Sequence, residues 1–272
     1  MKKSKIIVLA GQSNAVGVGW VDYLPRHFDS DTVAGFMSGY KNILINYFSH
    51  DKKSGGFVPV SFGCTEVSKN TFGPEVGIAQ TLDRKYPGEE FFIVKCAFGG
   101  TNLFHDWLSP SCGGDYDENA RAEGENNRKA GWCYNELVAI MSESIAELKN
   151  RQYLPEIIAF CWMQGESDAD TQEHVSGYSA RYEALLSDFT EKFGSYCKNC
   201  VFIDGGISEI WPLYREINEV KKAIAEKADS RFYIDTIAEG LTTKNEPQPD
   251  VDTAHYDSDC TVKLGNLFAE RI

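Results

Sequence analysis

The chain has 272 residues, and its 27 basic and 40 acidic side chains give a formal net charge of −13. This acidic balance disfavours a nucleic-acid partner, because such proteins use a basic surface to displace phosphate counterions. The longest uninterrupted apolar run, residues 157–163, is far shorter than the roughly 20 residues of a membrane-spanning helix. We therefore expect neither nucleic acid nor membrane as a partner.

Short apolar runs alternate along the chain with amphipathic stretches. The runs are typical of parallel strands covered on both faces, and the stretches carry one apolar helical face. In chain order the sequence predicts a strand at 5–10, a helix at about 75–86, a strand at 91–97, a helix around 137–148, a strand at 157–163, a helix over 175–193, a strand at 201–207, a helix around 217–228, a strand at 232–235 and a helix from 261 onward. This alternation predicts an α/β protein, a three-layer α/β/α sandwich with a five-stranded parallel sheet.

We expect a single domain over residues 1–272, because the sequence contains no linker, repeat or low-complexity tract. Two polar stretches, residues 109–129 and 242–254, are predicted to be long loops, the first of them a loop or lid. The basic start of the chain precedes an apolar run of only five residues, 6–10, which is too short for a secretory leader. We therefore expect a cytoplasmic protein.

Eight scattered cysteines fit that expectation, since a chain of this length needs no disulfide framework. Cys197 and Cys200 form one Cys-x-x-Cys pair. No second pair accompanies it, so zinc binding is not favoured and we regard the spacing as incidental. Cys112 and Cys133 bracket the first polar loop and could pair under oxidation, which the sequence leaves open.

Unusual residues follow three of the predicted strands, at the sheet edge where sites form in open parallel sheets. A fourth polar block lies in the second loop. Taken singly, each block is an ordinary turn or helix cap; taken together, they indicate a site. The blocks are Gly11-Gln12-Ser13-Asn14, Gly99-Gly100-Thr101, Gln164-Gly165-Glu166 and the Asp252 to His255 segment.

These residue types are the ones that an acyl-transfer reaction requires. A serine hydroxyl is a weak nucleophile and needs a general base that a third group orients. Ser13 would be the nucleophile, His255 the base and Asp252 the orienting acid one turn away. The glycine pair and the Gln164 amide offer N–H groups for a developing oxyanion. Because the sequence has no metal-binding, P-loop or dinucleotide motif, we expect no metal and no cofactor.

The ordered blocks resemble those of the SGNH (GDSL-like) hydrolase superfamily. They are most similar to its sialate O-acetylesterase-like branch, which includes acetylxylan esterases of carbohydrate esterase family six. That branch carries Gly-Gln-Ser-Asn where the wider superfamily has Gly-Asp-Ser-Leu. The resembling segments here are Gly11 to Asn14, Phe72 to Glu75, Gly99 to Thr101, Trp162 to Asp168 and Asp252 to Tyr256.

The resemblance implies a flavodoxin-like sandwich and a serine esterase that removes O-acetyl groups from carbohydrates through an acyl-enzyme intermediate. It implies Ser13, Asp252 and His255 as the catalytic triad. The oxyanion hole would consist of the backbone N–H groups of Ser13 and Gly100 and the Gln164 side chain.

Three further residues of these blocks are expected to support the site or to contact substrate: Gln12, Asn14 and Glu166. Glu166 also rivals Asp252 for the acidic role; we favour Asp252, because one turn fixes its geometry to His255.

The expected substrate is an acetylated carbohydrate. The overall negative charge disfavours an anionic sugar such as sialic acid, although a local arginine would override it, so we expect neutral acetylated oligosaccharides such as xylan fragments. Trp107 and Trp132 flank the first polar loop and are candidates for stacking on a sugar ring. The alternatives are a non-catalytic carbohydrate-binding protein on the same fold and a redox or metal protein that uses Cys197 and Cys200.

Overall fold

The structure is a computed structural model that describes residues 2–64, 68–246 and 253–272. Eight of the strands in these residues form one sheet, and two short strands form a separate pair. In chain order the strands are β1 (Lys3–Gly11), β2 (Gly19–Trp20), β3 (Tyr40–Ser49), β4 (Lys52–Lys53), β5 (Val58–Val60), β6 (Thr71–Phe72), β7 (Phe91–Ala97), β8 (Leu154–Met163), β9 (Val201–Gly205) and β10 (Arg231–Ile234).

Six parallel strands make up the main sheet, in the order β10-β9-β8-β1-β7-β3, and β4 and β5 pair antiparallel with β3. The chain proceeds from β1 to strands on one side and then, after β7, to β8 on its other side. The strand order therefore reverses at β1. In an open parallel sheet, a crevice forms outside the carboxyl ends of the strands at such a reversal.

Helices cover both faces of this sheet. The α-helices of the described residues are α1 (Ser13–Val16), α2 (Leu24–His27), α3 (Ser30–Ser38), α4 (Glu75–Lys85), α5 (Trp132–Asn150), α6 (Gln172–Phe193), α7 (Tyr214–Ala225) and α8 (Ser258–Glu270). On one face the Trp162 ring of β8 stacks on Tyr182 of α6, with the centroids 5.7 Å apart. On the other face, Gly205 of β9 lies against Leu264 and Phe268 of α8. The α/β/α sandwich is confirmed.

The predicted strand count was wrong. The sheet has six parallel strands rather than five, because β3 pairs with β7 over residues 43–49. β3 mixes buried apolar residues with half-buried and exposed polar ones, since it lies beside the short antiparallel strands and is only partly covered. A search for continuous apolar runs therefore passes over it, whereas the interior strand β1 is fully buried from Ile6 to Ala10.

The first polar loop, residues 109–129, contains no α-helix or strand and packs against its neighbours. The backbone N–H and hydroxyl of Ser111 both donate to the Asp188 carboxylate of α6. Asn135 of α5 donates to the carbonyls of Asp117 and Ala120 at 2.9 and 3.1 Å. These bonds make the segment a fixed wall of the molecule. Residues 247–252 of the second predicted loop lie outside the described residues.

All eight cysteines are free thiols, so Cys112 and Cys133 are not paired. A hydrogen bond between Cys197 and Cys200 lowers the pKa of the Cys197 thiol. Within the residues that the structure describes, no helix is long and apolar enough to cross a membrane.

Candidate active site

Ser13 occupies a sharp turn at the carboxyl end of β1. The turn requires glycine at position 11, where φ is +144° and a Cβ atom would lie 1.9 Å from the carbonyl oxygen of Met163. Gln12 then donates its backbone N–H to the same oxygen at 2.9 Å. Within the motif, Gln12 and Asn14 are buried and Ser13 is half-buried. The close approach of β1 and β8 thus leaves the serine facing solvent.

A cleft of about 510 Å³ opens above this turn. Four residues that the sequence assigns to the site are on its walls: Gln12, Ser13, Gly100 and His255. Gly99 also lines it, and a Cβ atom there would lie 3.9 Å from the Cβ of Ser13. The backbone of the Gly-Gly-Thr block therefore passes directly beside the serine.

Asn14 joins the two ends of the chain beneath this cleft. Its Oδ1 accepts the backbone N–H of Tyr256 at 3.0 Å, and its Nδ2 donates to Oε1 of Glu166 at 2.8 Å. The neighbours of Ser13 and His255 are thereby bonded to each other across 242 positions of sequence. This bond explains how a serine near one end and a histidine near the other come to share a cleft.

Glu166 is fully buried, and burial raises the pKa of its carboxyl, while Asn14, Lys221 and His255 act in the opposite direction. Its Oε2 atom has no hydrogen-bond partner among the residues that the structure describes. Asp252, the predicted orienting acid, lies outside those residues.

Gln164 lies beneath the cleft and does not line it. The side chain is fully buried, and its Nε2 donates to Gln12 Oε1 and the Thr101 carbonyl, each at 3.2 Å, and to Asp168 Oδ2 at 2.5 Å. An amide nitrogen has two protons, so these acceptors saturate it. The geometry thus gives Gln164 the task of joining three loops. It does not support the predicted role of a direct oxyanion donor.

A buried ion pair holds the serine turn from below. Lys95 of β7 donates to Glu75 Oε2 at 2.8 Å and to the Val16 carbonyl, at the end of α1, at 2.6 Å. Glu75 also accepts the backbone N–H of Gly73 at 3.0 Å. Both charged side chains are fully buried. The segment from Phe72 to Glu75, one of those that resemble the superfamily's sequence blocks, therefore fixes the helical turn that begins with Ser13.

Sequence reasoning missed three polar or aromatic residues of the cleft: His50, Ser167 and Trp211. His50 follows β3, so it was lost together with that strand. It has a φ of +57°, which only a few per cent of residues with a side chain adopt. The prediction that Trp107 and Trp132 stack on a sugar ring was also wrong. Trp107 and Trp132 are buried, whereas the partly exposed Trp211 lines the cleft.

Two overlapping groups of ligand-type atoms lie outside the cleft, and the second of them consists of Asp257, Asp259 and Cys260. Atoms of His27, Glu246 and Asp259 are within 4.8 Å of one another near the start of α8. His27 and Asp259 face each other at 3.7 Å, which accounts for their proximity, and such partly exposed groups are common without an ion. We therefore assign no metal to them.

A serine and an imidazole on one cleft, at the carboxyl edge of a doubly wound sheet, have the composition of a serine hydrolase site. The sequence matches a family described as "Carbohydrate esterase, sialic acid-specific acetylesterase" over residues 3–272. The chain belongs to this family and is a carbohydrate O-acetylesterase.

Solved structures share the fold at low sequence identity. NanS superposes with a TM-score of 0.69 at 17% identity, covering 99% of this chain and 96% of its own. A protein from Arabidopsis thaliana has a TM-score of 0.66 at 18% identity, with 98% and 97% covered. A carbohydrate acetylesterase from Xanthomonas citri has a TM-score of 0.61 at 13% identity, with 98% and 55% covered. No curated protein matches the chain in sequence.

Proposed function

We propose that Ser13 is the nucleophile that removes acetyl groups from sugar hydroxyls and that His255 is its general base. The observation that carries this proposal is that both side chains line one cleft, although 242 positions separate them. The Asn14 bond to Tyr256 supports it, because that bond holds the histidine segment against the serine turn.

The reaction proceeds in two balanced steps. Ser13 Oγ attacks the acetyl carbonyl carbon while His255 takes the hydroxyl proton, and the proton then passes to the departing sugar oxygen. Water, deprotonated by His255, next attacks the carbonyl carbon of the acetyl-serine ester; the bond from that carbon to Ser13 Oγ breaks, acetate leaves, and His255 returns the proton to Ser13 Oγ. The backbone N–H groups of Ser13 and Gly100 are the proposed oxyanion donors. Gln164 supports them through its bond to the Thr101 carbonyl.

Asp252 remains our proposal for the acid that orients His255, on the strength of its spacing and of the family resemblance. Glu166 is the rival, since it is buried near the imidazole and its Oε2 has no hydrogen-bond partner within the part of the chain that the structure describes. Replacing each acid with its amide separates the two. Replacing the acid that orients the imidazole should lower kcat by on the order of 10⁴-fold, because the amide in its place stabilises the wrong tautomer of His255.

The test of the nucleophile compares two serines of the same cleft. Acetate release from acetylated xylo-oligosaccharide and from p-nitrophenyl acetate is measured for Ser13→Ala and for the control Ser167→Ala. We expect kcat to fall by on the order of 10³-fold or more for Ser13→Ala. Ser167→Ala should lose less than about tenfold, because within the described residues its hydroxyl takes part in one hydrogen bond, which it accepts from Gln12 Nε2 at 3.2 Å. Similar rates for the two variants would overturn the assignment.

A further inference from the structure

Lys221 is a fully buried cation of α7 that the reaction described above does not use. It lies at the carboxyl ends of β8 and β9, where its Nζ donates to the carbonyl of Gln164 and, at 2.6 Å, to the carbonyl of Gly205. Oδ1 of Asp204 is 3.0 Å from the same nitrogen. An ammonium has three protons, and these three oxygen atoms are enough to engage all of them. The ammonium therefore joins one helix to the ends of two strands.

Stability alone does not account for a lysine at this position. Replacing a buried ion pair with apolar residues of similar volume is often neutral or stabilising, because the desolvation of two charges offsets their attraction. Burial raises the pKa of the Asp204 carboxyl to about 6, so its charge at neutral pH opposes a desolvation cost that Lys221 only partly relieves. The segment that the ammonium holds is a better reason for its presence.

That segment is the turn from Gln164 to Glu166, which belongs to one of the blocks that the sequence assigns to the site. Gly165 in its middle has a φ of +130°, and a Cβ atom there would lie 2.8 Å from Cγ2 of Ile217. Ile217 precedes Lys221 by about one turn of α7. The helix thus packs one side chain against the middle of the turn and bonds the first carbonyl of the turn with another.

A chain of hydrogen bonds leads from this turn to the histidine segment. Glu166 accepts from Asn14 Nδ2 at 2.8 Å, and Asn14 Oδ1 accepts the backbone N–H of Tyr256, the neighbour of His255, at 3.0 Å. The ammonium also acts on Glu166 through space, because it opposes the rise in the pKa of that carboxyl that burial causes. Since its side chain is fully buried, Lys221 does not reach a substrate, and its influence on the reaction passes through these residues.

We propose that Lys221 is a positioning residue of the esterase, which fixes the turn from Gln164 to Glu166 and, through Glu166 and Asn14, the segment that carries His255. The inference rests on the proposed function. An ammonium suits this task because its three protons can bind two carbonyl oxygens and a carboxylate at once.

The test compares two variants that differ only at position 221, Asp204→Asn and Lys221→Met/Asp204→Asn. Asp204→Asn keeps the ammonium and offers it an amide oxygen, so its kcat for p-nitrophenyl acetate should stay within about threefold of the wild type. The double variant leaves no unpaired carboxylate at position 204. Its kcat should be roughly 10–100-fold lower with little change in KM, the effect of a small displacement of a reacting group. Lys222→Met removes the next, exposed lysine of α7 and is the matched control, which should keep the wild-type kcat.

A second comparison separates positioning from a general loss of structure. In an Asn14→Ala background the connection to Tyr256 is already broken, so the loss of Lys221 should lower kcat by less than about threefold further. Two independent effects would multiply instead. Losses that multiply, or equal kcat for Asp204→Asn and the double variant, would overturn the inference.

Hydrogen exchange provides a readout that does not depend on the esterase assignment. The backbone N–H of Tyr256 should exchange faster in the double variant than in Asp204→Asn, because the support of its acceptor is released. If Ser13→Ala keeps the wild-type rate, the assignment of the nucleophile fails, whereas faster exchange at Tyr256 still supports the positioning role of Lys221. Unchanged exchange at Tyr256 would overturn that role whatever the kinetics.

Discussion

The buried pair beneath the serine turn gives a quantitative prediction for Lys95→Met. The substitution removes the ammonium that bonds Glu75 and the Val16 carbonyl, and it leaves the Glu75 carboxylate charged and fully buried. Breaking a buried ion pair from one side costs about 3–5 kcal/mol, because the remaining charge has no compensation. We expect this loss in the free energy of unfolding, measured by urea denaturation followed by tryptophan fluorescence.

The double variant Lys95→Met/Glu75→Gln tests the reasoning. Removal of both charges leaves only the unpaired Val16 carbonyl, worth about 1–3 kcal/mol, so the double variant should be more stable than Lys95→Met alone. Lys227→Met, which breaks an exposed pair with Glu183, is the control and should lose less than about 1 kcal/mol. The reasoning is refuted if Lys95→Met lowers the free energy of unfolding by no more than this control does, or if the double variant is the least stable of the three.

The remaining predictions concern the cleft and the pH dependence of stability. Asn14→Ala should lower kcat by roughly 10–100-fold with little change in KM, since it releases Tyr256 from the serine turn. Asn14→Asp should lower kcat further, because it places a second carboxylate against buried Glu166. Equal kinetics for the two variants would contradict this. His255→Ala should lose on the order of 10³-fold in kcat, and His50→Ala, the control for a cleft histidine, less than about tenfold. Burial raises the pKa of Asp204 from 3.8 to about 6, so the native state holds more protons than the unfolded state between those values. Stability should therefore fall as pH rises from about 4 to 6, and Asp204 should contribute about 3 kcal/mol of that fall. In urea titrations Asp204→Asn should make the slope shallower without removing it, because burial also raises the pKa of Asp168 to about 6.

The interior strands of the fold could be predicted from the sequence, because burial on both faces requires apolar residues in succession. Strands covered on both faces, such as β1 and β8, are continuous apolar runs. β3 could not be found in this way, because its incomplete cover permits polar residues among the apolar ones. Because β3 was not predicted, the cleft residue His50, which follows directly at its carboxyl end, was not predicted either.

The site could be predicted only as far as short motifs describe it. The motifs indicated that Ser13, Gly100 and His255 belong together, and these residues line one cleft. They could not distinguish a side chain that faces the cleft from one that lies beneath it, because both kinds occur within the same short motifs. Gln164 illustrates this, since its amide N–H groups bond to acceptors in its own segment, Asp168, and in two others, at Gln12 and Thr101. The single-domain organisation and the role of Asp252 stay predictions.

The central claim, that Ser13 is the nucleophile that His255 activates, is tested most directly by covalent labelling. A fluorophosphonate reacts with an activated serine to give a stable adduct, which peptide mass spectrometry can locate. We predict one adduct on Ser13 in the wild type and strongly slowed labelling in His255→Ala. An adduct on any other residue, or an unchanged labelling rate without the imidazole, would contradict the account.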